Sequence, residues 1–289
     1  MAIIVLRFGH LLPFLGGDQA CVIRTPQTGS PHMSLTRSAT ARIREAIVCG
    51  RLEFGEPLSE VQLAAALGMS KAPVRAALIE LREKGLVTIA PQAGTFVCSP
   101  TAEDIASLSG FRFLMERECM RRALEQQPAE LFAALDESVA LMVKARQRHS
   151  GADYKAADTA YHLAFIYLSG NRFLQQAYDL VGGIVEALRV RLFDAGKRYQ
   201  EKSFSDHVEI LAALRSKDLA EATRILEDHI MRTKQLLEAS PPARIPRARR
   251  INRTSEEYRE LFRIDAEPHS TAARHHLHRP DLQKAAFGD

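Results

Sequence analysis

The chain has 289 residues, 46% of them hydrophobic and 26% charged, and a formal net charge of +4. That length holds about two domains with packed cores, and so small a net charge excludes a uniformly basic coat, so any nucleic-acid surface is local. No run approaches the roughly 18 consecutive apolar residues of a membrane span, and four scattered cysteines (Cys21, Cys49, Cys98, Cys119) without a CxxC point to a reducing, cytoplasmic setting.

Residues 1–34 read as an extension without structure or as an early start, with Met33 as the alternative first residue. Met1–Leu15 is apolar, but Arg7 and His10 interrupt it and no basic segment precedes it, which argues against a secretory signal. Residues 36–50 then place Ile43, Ala46 and Ile47 at helical spacing and stop at Gly50. After a turn with Gly55 and Pro57, Ser59 caps a second helix, Glu60–Leu67, whose apolar face is Val61, Leu63, Ala64 and Leu67. Gly68 and Met69 break the chain, Ser70 caps a third helix from Lys71 to about Lys84, and Gly85 ends it.

Helix, glycine-containing turn and helix form the helix-turn-helix pattern, whose second member enters the major groove of duplex DNA. In that member Val74, Ala77, Leu78 and Leu81 face inward, while Lys71, Arg75 and Arg82 lie on other faces. Two β-prone runs, Leu86–Ile89 and Thr95–Val97, flank Ala90–Gly94 as a short hairpin wing, with Gly94 near its tip. Residues 35–98 are therefore expected to form a winged helix-turn-helix domain.

From Thr101 to Ser240 the pattern is helical throughout, a bundle of about six helices spanning 101–240. Thr101 caps the first, which runs to about Gln126; the next runs from Pro128 to near His149, and the last two are Ser205–Arg215 and Asp218–Ala239. Asp158 and His162 are spaced i, i+4 and share one helix face. His207 and His229 are equidistant from Asp218, so an antiparallel hairpin brings them level. Singly, each histidine reads as an ordinary half-buried one; together, the two pairs favour a shared divalent ion, with zinc, nickel, manganese and iron all compatible. Asn171 reads as a helix-start residue. Residues 241–289, with Pro241, Pro242, Pro246, an arginine run and His275, His276 and His278, read as a poorly ordered tail. The fold class is mainly α, a winged helix followed by an all-α bundle.

The segments G-R-L…G-E-P-L-S-E, L-A…L-G-M-S, P-V-R-A-A-L and E-K-G-L-V…G-T-F-V, over about residues 37–97, closely resemble the DNA-binding domain of GntR-type transcription regulators. The resemblance implies operator contacts by Lys71, Arg75 and Gly94, with Ser70 at the mouth of the recognition helix. The family's usual arginine is replaced by Lys71, which lacks the planar fork. The stretches D-T-A-Y-H, L-S-G-N, D-H-V-E-I-L and D-H-I, within about residues 105–235, are similar to the FCD subgroup. That similarity implies metal ligation by Asp158, His162, His207 and His229, and an effector contact, with a small carboxylic acid, by Arg112.

The alternative for Arg112 is an i, i+4 pair with Glu116 on a solvated face. Other functional alternatives are a pure metal sensor and a metal-dependent hydrolase. The hydrolase is disfavoured because Asp206 and Asp228, next to the ligand histidines, are turned about 100° away on a helix. A homodimer on near-palindromic duplex DNA is expected, since one winged helix makes too few contacts alone.

Overall fold

The computed structural model describes residues 34–192, 197–239 and 252–263. The expectations for residues 1–33 and for the tail at 240–251 and 264–289 with its three histidines lie outside the described residues.

The first helix, α1 (Leu35–Val48), buries Ala39, Ile43, Ala46 and Ile47, positions one helical turn apart that make a single inward stripe. After the short strand β1 (Pro57–Leu58), Ser59 accepts from the Gln62 N–H at 3.4 Å and opens α2 (Glu60–Leu67), which Gly68 ends at φ 66°. The recognition helix α3 (Lys71–Glu83) buries Val74, Ala77, Leu78 and Leu81, as its spacing predicts. The wing follows as β2 (Val87–Ala90) and β3 (Gly94–Val97), antiparallel, with Ala90 opposite Gly94.

Three local expectations differ from what forms. The wing is a three-stranded sheet, ordered β1-β3-β2, because Pro57–Leu58 pairs with Thr95–Phe96. Two residues are too short to signal a strand, and a proline is tolerated only on such an edge. Val61 is 51% exposed, since the helical pitch rotates it out of the arc that Leu63, Ala64 and Leu67 share. Ser70 stands at the N-cap of α3, but its hydroxyl makes no capping bond.

The bundle comprises α4 (Ala102–Gln126), α5 (Pro128–Gln147), α6 (Gly151–Tyr167), α7 (Arg172–Leu192), α8 (Lys197–Arg215) and α9 (Leu219–Ala239). Thr101 and Asp104 close a reciprocal capping box on α4, and Pro128 takes the first position of α5, where its missing N–H costs nothing. Asn171 accepts from the N–H groups of Phe173 and Leu174, the helix-start role expected of it. Asp218 accepts from the Glu221 N–H at 2.9 Å and turns the α8–α9 hairpin. The α8 helix begins before Ser205; that serine lies inside it and bonds forward to Glu209, one turn along.

The described part of the tail also departs from expectation. Residues Ser255–Arg263 form α10, and Tyr258 and Phe262 are buried in the same apolar core as the winged helix. Composition hid this because the preceding Pro/Arg stretch dominates the segment, whereas two aromatics at i, i+4 suffice for one buried face.

The winged helix and the bundle share that core through α7, whose Ile184, Ala187 and Leu188 join Ile43, Leu81 and Leu86. Among the described residues no helix is long and apolar enough to cross a membrane.

Candidate metal centre and DNA-reading surface

On the DNA-reading side, Ser70, Lys71, Arg75 and Gly94 are all exposed. Arg75, with 65% of its side chain exposed, is held by Glu60 at the start of α2, Nε to Oε2 3.1 Å. Glu60 fixes the guanidinium beside the N-terminal turn of α3. Gly94 has φ 115°, a conformation that lets the backbone turn into β3 without a side chain in the way. Arg82 pairs with its neighbour Glu83 instead.

Inside the bundle, His162 on α6, His207 on α8 and His229 on α9 converge. Their ring centroids are 4.9 to 5.3 Å apart, one ring nitrogen from each lies within 4.8 Å of the others, and all three residues are buried. Asp158 reaches this group through His207, Oδ1 to Nε2 3.2 Å, while its other oxygen is taken by Arg189 of α7. The structure thus brings the three imidazoles together as a triad, with the carboxylate at its edge.

The tautomers follow from what surrounds the rings. Glu116 Oε2 lies 2.8 Å from His162 Nδ1 and Asp206 Oδ2 lies 3.2 Å from His229 Nδ1. An ionised carboxylate only accepts, so each Nδ1 carries the proton and each Nε2 keeps its lone pair. This is the arrangement that orients metal-binding histidines. Asp206 therefore does have a role, on the histidine of the neighbouring helix and not on its own; Asp228 is exposed and pairs with Arg224.

Burial pushes His207 down to about 3, and His162 and His229 also below the ordinary imidazole value. Burial raises the Asp158 carboxyl, but Arg189, with His207 and His162, overrides it and holds the group below the carboxylate range. Neutral imidazoles beside an ionised carboxylate are the protonation states a cation needs.

The residues fit a divalent ion. His207 Nδ1 is buried with no hydrogen-bond partner, and His207 Nε2 faces His162 Nε2 at 3.2 Å. Convergent imidazole nitrogens with an adjoining carboxylate are the donor set that zinc, nickel, manganese and iron accept.

Arg112 is not on a solvated face. It is 3% exposed, its Nε donates to Glu116 Oε1 at 2.7 Å, and its Nη2 lies 3.0 Å from His162 Nε2. A pocket of about 400 Å³, including its open mouth, leads in beside Asp158 and His229, with Arg189, Tyr199 and Ser203 on its wall. The arginine on that wall is Arg189; Arg112 sits behind His162. The i, i+4 pair of Arg112 with Glu116 forms, but buried; sequence reasoning missed Arg189, and missed the roles of Glu116 on His162 and Asp206 on His229, because those partners lie on other helices.

The model described as "Bacterial regulatory proteins, gntR family" matches residues 35–97, and that of the FCD domain matches 107–232. A protein of Agrobacterium vitis, described as an uncharacterized HTH-type transcriptional regulator in the TAR-I ttuE-ttuC' intergenic region, is 33% identical over 42% of this chain and 72% of its own. The chain belongs to the GntR family.

This GntR regulator is also 24% identical, over 70% of its length and 88% of the relative's, to the HTH-type transcriptional repressor RspR of Escherichia coli (strain K12). In fold it is similar to a GntR regulator from Rhodococcus sp. RHA1, with a TM-score of 0.64 and 24% identity over 72% of this chain and 99% of that one. E. coli McbR/YncC is alike in fold, with a TM-score of 0.62 and 22% identity over 72% and 99%. The GntR regulator is thus a DNA-binding transcription regulator with an FCD-type second domain, not an enzyme, and the hydrolase reading ends here.

Proposed function

We propose that this regulator changes its grip on operator DNA when a small carboxylic acid binds beside a divalent metal held by Asp158, His162, His207 and His229. The observation that carries the reading is the buried imidazole triad, oriented by Glu116 and Asp206, whose His229 lines a pocket together with Asp158 and Arg189. A bound metal supplies a fixed positive centre that attracts an anionic ligand. Arg189 is the guanidinium placed to take the acid's second oxygen. Arg112 Nη2 donates to the same His162 Nε2 that a metal needs, so metal loading frees that nitrogen for the acid while Nε keeps its bond to Glu116.

Ser70, Lys71, Arg75 and Gly94 are assigned to operator contact, Arg75 by leaving Glu60. The functional unit is a homodimer in the cytoplasm, reading two half-sites. Exposed apolar side chains at Leu114 on α4 and at Phe173 and Leu180, seven residues apart on α7, suit burial against a second copy. The acid acts only through its preference for one arrangement of the paired winged helices, typically ~1–3 kcal/mol of coupling.

Elemental analysis with native mass spectrometry tests the metal and the subunit count together. Operator affinity, on duplexes selected from a random pool, then tests the effector with metal held saturating and small acids varied. A shift with one acid supports the reading. A response to metal concentration alone makes the protein a pure metal sensor, and a metal-free protein with no response to either removes the site.

A further inference from the structure

The wall of the pocket beside Asp158 and His229 is polar almost throughout. Among the described residues that line it, Val190 alone lacks a polar side-chain atom, while Tyr154, Tyr199 and Ser203 each carry a hydroxyl. A plain hydrocarbon chain displacing water here would leave such groups unpaired, and an unpaired buried polar group is costly.

The direction of one of these hydroxyls follows from its neighbours. Tyr199 lies in the first turn of α8, and its Oη is 3.3 Å from Thr233 Oγ1 of α9. Thr233 is buried, and it donates its hydrogen back to the carbonyl of His229, one turn earlier, at 3.0 Å. A threonine hydroxyl has no second hydrogen, so in the pair with Thr233 the phenol is the donor. Burial raises the Tyr199 phenol above its ordinary value, so that hydrogen stays in place. What the phenol keeps for the pocket is lone-pair density: Tyr199 Oη accepts and does not donate.

The other groups divide by the same inventory. Arg189 only donates, and suits a carboxylate; it already holds Asp158 in that way. A second carboxylate set against Tyr199 would put oxygen against oxygen with no hydrogen between them. An alcohol brings the hydrogen that this oxygen needs.

We propose that Tyr199 is a specificity-determining residue, a fixed acceptor that selects acids carrying a hydroxyl group over plain acids and diacids. The proposal rests on the reading of this pocket as the effector site.

Calorimetric titration of the zinc-loaded full chain compares butanoate, its three monohydroxy derivatives and succinate. At least one hydroxy acid is expected to bind about 3- to 10-fold tighter than butanoate, the yield of one hydrogen bond, and succinate no tighter than butanoate. Tyr199→Phe removes the acceptor, so the ratio of hydroxy-acid to butanoate affinity should fall to about one. Thr233→Val removes the group that holds the hydrogen away, so the phenol turns its O–H into the pocket. Succinate should then gain on butanoate by about 3- to 10-fold.

These ratios are read within each variant, so a general loss of affinity or stability does not mimic them. A wild-type ratio near one overturns the proposal, as does a hydroxy-acid preference that survives Tyr199→Phe; both leave the pocket an acid site. An unchanged succinate ratio in Thr233→Val overturns the direction assigned to the hydrogen, and the selection with it. If none of the five acids binds, with zinc or without it, the effector reading itself fails and Tyr199 loses its role.

Discussion

Gly183, on α7, lies so close beneath Leu86 of the winged helix that a methyl group added there would stand 2.9 Å from Leu86 Cδ1. The same helix carries Glu186, paired with Arg44 of α1, and Arg191, whose guanidinium lies over the Phe54 ring at 3.4 Å from its centroid. Between them Arg189 turns the other way, to Asp158 at the edge of the histidine triad. One helix thus touches both the edge of the histidine triad and the winged helix.

Gly183→Ala is therefore a probe of that contact. Leu86 is fully buried, so the added methyl must displace a packed side chain at a cost of about 1–3 kcal/mol, which the roughly 1 kcal/mol gained in helix propensity offsets only in part. Equilibrium denaturation should show the loss while metal content stays constant. A midpoint above wild type would mean that Leu86 yields freely and that the contact is slack, since alanine then only adds helix propensity.

Metal affinity should fall in graded steps. His207→Ala removes a ligand and should reduce affinity by well over about 100-fold. Glu116→Gln weakens the Nδ1 partner of His162 and the buried pair with Arg112, and should cost about 10- to 100-fold, the range for outer partners of a ligating histidine. Calorimetric titration with zinc or nickel measures both. An intact affinity in the His207 variant would break the ligand assignment.

Metal-free protein should be acid-labile. His207 has a folded value of about 3 against an ordinary 6.5. Between those values the unfolded chain binds the proton and the folded chain does not, so stability is present above about 6.5 and drains as pH falls towards 3. The slope is at most about 1.4 kcal/mol per pH unit for each such histidine. His162, His229 and the depressed Asp158 act in the same direction. Melting temperatures across this range check the sign; a protein steadier at pH 4 than at pH 7 would contradict it.

Arg75→Ala should weaken operator binding roughly 10- to 100-fold, with relaxed preference at the base it reads. Glu60→Gln, by contrast, releases Arg75 from its partner and should tighten binding, more so at low salt because the pair is exposed. Fluorescence anisotropy on a selected duplex gives both. An unchanged affinity for Arg75→Ala would take that side chain out of the interface.

What the sequence by itself determined is local. Caps at Ser59 and Thr101, the inward stripe of α3, the glycine that ends α2, and the i, i+4 relation of Asp158 to His162 all depend on neighbours within a turn or two, and all were legible. The symmetric placing of His207 and His229 about Asp218 was legible too, since an antiparallel hairpin adds only one further rule.

Tertiary structure alone decided the rest. Asp206 is rotated away from His207 as helix geometry demands, yet it meets His229 across the α8–α9 seam. Arg189 finds Asp158 from another helix, Arg112 becomes a buried partner of His162, and α10 docks about 190 residues downstream of the helix it covers. A side chain's meaning at such places is set by what packs opposite it, and pitch, caps and composition describe only the element that carries it.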